Sequence, residues 1–149
     1  MNFNVYKSSA GSGKTFTLVK EYLKLVLARP ENFRHVLAIT FTNKAANEMK
    51  QRIISALKEI SETERDNITG TSKFLLLDLI KETEIAEKDL TVNAALVLQN
   101  ILHHYSDFAV STIDSFVHKI IRSFAFDLNL PLSFEVEIEA EELLEKAID

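Results

Sequence analysis

The sequence predicts an α/β fold: a parallel sheet with flanking helices, incomplete, with a helical insertion between its second and third strands. Three observations carry this. First, a loop of small residues, Ser8-Ser9-Ala10-Gly11-Ser12-Gly13-Lys14-Thr15, joins a β-prone stretch (Phe3, Val5, Tyr6) to a helical pattern. Second, the apolar run Val36-Leu37-Ala38-Ile39 has the length and continuity of a parallel strand covered on both faces. Third, the apolar residues between that run and a third β-prone stretch, Phe108 to Thr112, recur at helical spacing.

The elements follow in order. Residues 2–8 read as a strand entering the loop, and residues 15–28 as a helix with apolar positions at Phe16, Val19, Leu23, Val26 and Leu27. Pro30 ends that helix, because its ring cannot continue the hydrogen-bond ladder. A strand over 33–41 completes a βαβ unit with a right-handed crossover. Ala46, Met49, Ile53, Leu57 and Ile60 then define a helix from Asn43 to about Ile60. A polar loop over 61–72 follows, then helices at about 73–83 and 89–105, so the helix-rich insertion covers about 61–106. The third strand, 108–112, leads to a helix from Ser115 to about Phe126, which Pro131 stops. Residues 133–138 alternate Phe134, Val136 and Ile138 as a strand, and a last helix starts at Glu139.

Composition narrows the function classes. At 149 residues and 46% apolar content the chain can bury a core as one domain, and three Gly with two Pro suit long helices. The absence of Cys rules out disulfides and thiolate metal sites and fits a cytoplasmic location. His35, His103, His104 and His118 lack ligand spacing and read as surface or boundary residues. No apolar run approaches a membrane span, and Met1-Asn2-Phe3 opens into a strand rather than a secretory signal. The net charge of −5 conceals a division. Residues 1–58 hold ten Lys/Arg against three Glu, a net +7, and residues 59–149 hold seven against nineteen Asp/Glu, a net −12. A basic first half is compatible with a polyanion, and solvated helix faces account for part of the bias.

The first loop is built to grip phosphate. Gly11 and Gly13 permit backbone dihedrals that turn successive N–H groups inward, and the following helix adds its positive end. Lys14 supplies a charge for the β- and γ-phosphates, and the Thr15 hydroxyl stands where Mg²⁺ is ligated. Ser8 occupies the place of the outer glycine in the full pattern. A Gly-Lys-Thr in an ordinary surface turn is the alternative, which the strand–loop–helix context opposes.

Two further strand-to-helix turns would share that sheet edge, where ligands of open parallel sheets bind. In the second, Thr42 can cap a helix while Asn43 and Lys44 add polar and positive groups. Phe41 is either a stacking platform for a nucleic-acid base or a core aromatic at the strand's end. In the third, Asp114 or Ser115 can be a helix cap or a ligand contact, with Phe116 beside them.

These residues carry a resemblance. Ser9 to Thr15 resembles the first motif of the UvrD/Rep-like superfamily 1 helicases, which often lack the outer glycine. Leu37 to Arg52 is similar almost residue for residue to the family's second motif, T-F-T-N-K-A-A-x-E-M. Ser111 to Phe116 resembles the next motif, with Asp114 where the family usually has His. The lack of a glutamine-bearing segment before the first strand, and the 58 residues between Arg52 and Ser111, look like the RecB/AddA helicase–nuclease branch.

The resemblance implies a P-loop NTPase (RecA-like) fold, with Ser8 to Thr15 binding ATP and Mg²⁺ and Lys14 and Thr15 serving catalysis. It implies single-stranded DNA at Phe41, Thr42, Asn43, Lys44, Asp114, Ser115 and Phe116, and 3′-to-5′ stepping in DNA repair or recombination. A nuclease domain or a partner protein that carries one is implied in the full-length protein. The family's metal-binding Asp-Glu strand and its arginines from a second motor domain are not found, and Glu135, Glu137 and Glu139 read as a solvated strand face. Residues 1–149 therefore read as the N-terminal portion of a first motor domain, able to hold nucleotide but not to turn it over alone. A stand-alone nucleotide-dependent binding module is the other reading, with a small-molecule kinase behind it.

Overall fold

The computed structural model describes residues 4–6, 13–62 and 70–125, which fall in two compact units, one through Thr112 and one from Ile113. The first contains α1 (Lys14–Ala28), a 3-10 helix (Pro30–His35), β1 (Ala38–Thr40), α2 (Asn43–Glu62), α3 (Gly70–Thr83), α4 (Glu87–His103), a 3-10 turn (Tyr105–Asp107) and β2 (Val110–Thr112). The second contains α5 (Ile113–Ser123).

The helices form because their apolar residues return on one face. Leu90, Ala94, Val97 and Ile101 of α4 follow steps of four, three and four, and all are fully buried. Ala46, Met49, Ile53, Ala56, Leu57 and Ile60 do the same on α2, which packs along α4. Val19, Tyr22, Leu23, Val26 and Leu27 of α1 complete the core with Leu75, Leu76 and Leu79 of α3. Tyr22 meets Phe108 edge-on, with ring centroids 5.8 Å apart, and burial pushes its phenol up.

Helix ends are set by local chemistry. Pro30 stops α1 and opens the 3-10 helix, while the Asn93 side chain on α4 donates to the Leu27 carbonyl at 2.8 Å. That bond satisfies one of the carbonyls α1 leaves open and ties it to α4. At the end of α3, Glu84 takes a φ of +56°, the left-handed position that Gly usually fills.

β1 and β2 are parallel neighbours, with Ala38 beside Val110, Ile39 beside Ser111 and Thr40 beside Thr112. The long connection between them holds α2, α3 and α4. Both strands finish at one edge, because Thr40 and Thr112 are in register.

The sheet departs from expectation in several places. The strand expected over 33–41 shrinks to 38–40, because Pro30 starts a 3-10 helix that carries Phe33 into the core by another route. Ile39 is 43% exposed, so β1 alternates rather than being covered on both faces. Helix α2 packs against both strands, and the pairs facing inward are Ala38–Val110 and Thr40–Thr112. Asn4 to Tyr6, the described part of the strand expected over 2–8, form no strand. The loop expected over 61–72 is trimmed at both sides, since α2 runs to Glu62 and α3 starts at Gly70. The strand and helix expected beyond Phe126 lie outside the described residues.

The basic first half is partly neutralised inside its own unit. Lys20 reaches Glu82 at 2.6 Å and Asp78 at 3.5 Å, and Lys24 reaches Glu82 at 2.8 Å and Glu21 at 3.2 Å. Charge separated along the sequence is therefore paired across α1 and α3. The hydrogen bonds from Lys20 and Lys24 hold the Glu82 carboxyl down at about 2, and the bond to Glu82 raises both lysines. A carboxylate depressed on folding stabilises the protein above its unfolded value near 4.5, and the gain is lost as pH falls toward 2. Glu82→Gln is thus expected to flatten the loss of stability between those pH values, as followed by acid-unfolding circular dichroism. At neutral pH its effect should stay near 1 kcal/mol or below, since water screens a cluster at the surface.

Candidate functional site

Gly13 sits immediately before α1 with φ +83° and ψ 16°. A Cβ there would meet no atom within 4 Å, so the constraint is conformational, about 1–2 kcal/mol for an L-residue in this region. The first turn closes on it, with the Thr17 N–H donating to the Gly13 carbonyl at 3.0 Å and the Thr17 hydroxyl at 3.3 Å. Among the described residues no side chain caps this helix start. The first N–H groups of α1, with Lys14 exposed and Thr15 half-buried on the first turn, therefore form a helix start suited to an anion. Ser8, Ser9, Ala10, Gly11 and Ser12 lie outside the described residues.

The second turn is fixed by its own hydroxyls. The Thr42 hydroxyl accepts from the Ala45 N–H at 3.1 Å, and the Thr42 carbonyl accepts from the Ala46 N–H at 3.0 Å. The Thr40 hydroxyl donates to the same carbonyl at 3.1 Å. Thr42 is the cap the sequence indicated, worth about 0.5–2 kcal/mol against Ala. This turn leaves Phe41, Thr42, Asn43 and Lys44 exposed in succession where β1 ends. Phe41 is 89% exposed, which removes it from the core of the described residues and leaves an open aromatic face at a helix N-terminus.

The third turn is tighter than expected. Helix α5 begins at Ile113, directly after β2, so Asp114 and Ser115 stand in its first turn and neither is its cap. Asp114 there is still favourably placed for the helix dipole. Asp114 and Ser115 are exposed and line a groove of about 480 Å³ with His118, Lys119 and Arg122. Phe116 is half-buried and does not line it. The turn motif alone does not reach the basic residues of that groove; their helical spacing from Ser115 is the signal in the sequence that would have found them.

A second cleft, about 390 Å³, opens between α1 and α2 and is lined by Phe16, Val19, Gln51, Ser55 and the Glu48–Arg52 ion pair, closed at 2.7 Å. Among the described residues no group of three His, Asp or Glu could hold a metal ion, and no helix is long and apolar enough to cross a membrane.

The Gly-Lys-Thr helix start and the Thr-Phe-Thr-Asn-Lys strand end are the segments whose motifs resemble those of helicases. Residues 3–149 match the UvrD/REP helicase N-terminal domain, and the chain belongs to that family. It is 35% identical over 144 residues to an ATP-dependent helicase/nuclease protein of Lactobacillus gasseri, a match covering 95% of this chain and 10% of that protein. The ATP-dependent helicase/nuclease protein of Staphylococcus aureus is 32% identical over 144 residues, with the same coverage of each. The probable DNA helicase II homolog of Mycoplasma genitalium is 32% identical over 128 residues, or 74% of this chain and 18% of that protein. The chain thus spans about a tenth of the length of its helicase/nuclease relatives. No solved structure matches it. The family read from the motifs is borne out.

Proposed function

We propose that this chain is the N-terminal portion of the first motor domain of an ATP-dependent DNA helicase that tracks single-stranded DNA 3′ to 5′ in repair or recombination. The observation that carries the DNA side is the β1 tip, where an 89%-exposed Phe41 stands beside a capped helix start and Lys44. On the nucleotide side the residues fit the ligand. The left-handed Gly13, a start of α1 that no described side chain caps, and the exposed Lys14 suit a triphosphate, with Thr15 as the Mg²⁺ ligand. When bound, ATP supplies the phosphoryl transfer that drives stepping, and Mg²⁺ offsets the charge that develops in it.

Each residue then has one task. The N–H groups of the first turn of α1 orient the phosphates, and Lys14 concentrates positive charge where the transferred group gathers electrons. Phe41 offers a face to one base, while Asn43, Lys44 and the start of α2 hold the backbone next to it. Both sites stand at helix starts of one packed unit, because α1 and α2 share its core. A displacement of α1 at the phosphates can therefore reach the tip through packed side chains.

Phe41→Ala in the intact protein is expected to weaken binding of an oligothymidine by about 1–3 kcal/mol, the range for one stacked base. Fluorescence anisotropy at one fixed salt concentration reads it, since salt alone moves such affinities. An unchanged affinity contradicts the DNA role of the tip.

A further inference from the structure

Helix α5 is divided lengthwise. At 100° per residue, Asp114, Ser115, His118, Lys119 and Arg122 share one arc, while Ile113, Phe116, Val117, Ile120 and Ile121 take the other. All five residues of the polar arc line the groove of about 480 Å³. It is a basic island in the acidic half, with Lys119 and Arg122 two of the seven Lys/Arg beyond residue 58.

Those two cations belong, with Lys14 and Lys44, to the described ones that no carboxylate holds. Lys20, Lys24, Arg34, Arg52 and Lys58 each have a carboxylate partner. Lys119 and Arg122 are exposed and have none among the described residues. They are three residues apart, about 4.5 Å along the axis, close enough to share one anion or hold two adjacent ones. Arg122 offers a planar fork for phosphate oxygens, Lys119 a point charge, and His118 a ring N–H. Asp114 stands two turns from Arg122, so a polyanion would seat on the Lys119–Arg122 end.

We infer that His118, Lys119 and Arg122 form a phosphate-holding groove that takes the sugar–phosphate backbone of single-stranded DNA along α5. This rests on the helicase reading above and extends it. The groove lies one to two turns into the helix, past the strand-to-helix turn that carries the sequence motif. It meets phosphate rather than bases, because the arc carries charged groups and a hydroxyl, while the phenyl ring of α5, Phe116, is on the opposite side.

The test is oligothymidine binding by the intact protein over a salt series, comparing wild type with the double variant Lys119→Gln, Arg122→Gln. Affinity should fall about tenfold near physiological salt, and the slope of log K against log salt should become shallower by about 0.7 for each phosphate no longer held. Binding of a fluorescent ATP analogue without DNA should not change. The charge-keeping pair Lys119→Arg, Arg122→Lys should retain the wild-type slope, and a slope that flattens there too overturns the inference. Unchanged affinity and slope in the double variant, with Phe41→Ala still weakening binding, overturn the groove and leave the helicase reading standing. A wild-type protein that binds no oligothymidine overturns both.

Discussion

Lys14→Ala in the intact protein is expected to lower ATP turnover by about a hundredfold or more, the scale for removing one preorganised charge from a transition state. Lys14 is the first residue of α1, one position after the left-handed Gly13, and its side chain is exposed. It contributes nothing to the core, so the fold should not register its loss. Steady-state phosphate release measures the first effect, and an unchanged thermal unfolding midpoint checks the second. Turnover retained within a few-fold would place the phosphate charge elsewhere.

Leu57→Ala should produce the largest loss of stability, about 2–5 kcal/mol, which combines lost burial with the cavity left behind. Leu57 is fully buried on α2, the helix that packs along α4 and against both strands. Collapse around the gap is opposed by Ile53 and Ile60 one turn to either side, themselves buried. Urea unfolding followed by circular dichroism should show a lower midpoint with a similar slope. Because α2 also carries the Thr42 cap at its start, the same variant should weaken oligothymidine binding without touching the tip. A loss below about 1 kcal/mol would show that the helices pack more loosely than the buried stripes indicate.

The helices were legible because burial on one side imposes a period. The stripe Ala46, Met49, Ile53, Leu57, Ile60 emerges buried as expected, and Thr42 caps it with the hydroxyl its residue type offers. The strands were harder to bound. A short apolar run does not say how far pairing extends, and Pro30 with Asn32 converts the expected first third of the strand into a 3-10 turn, closed by the Asn32 N–H on the Arg29 carbonyl at 2.9 Å. The start of α5 differs for a related reason. Ser115 and Asp114 are good caps by type, but β2 passes directly into helix at Ile113. Composition left Phe41 open between core and surface, since an aromatic after an apolar run serves either. Its exposure follows from the Thr40–Thr42 hydroxyl bonds that turn the chain at the strand's end, a detail no periodicity encodes.

Charge was half legible. The excess of Lys and Arg in residues 1–58 is plain from the sequence, and its pairing of Lys20 and Lys24 with Glu82 is a matter of which helices meet. The cations left for a polyanion are fewer than the total implies. They include Lys14 and Lys44 at two helix starts and Lys119 with Arg122 on α5.

Whether the nucleotide loop and the β1 tip work as two ends of one motor is tested most directly by ATP turnover in the intact protein, titrated with oligothymidine. In wild type the single strand should accelerate turnover. In Phe41→Ala the DNA-free rate should be unchanged, while the DNA concentration for half-maximal stimulation rises about tenfold, matching the removal of one stacked base. Turnover indifferent to DNA in wild type, or equal half-maximal concentrations in the two proteins, would contradict the coupling.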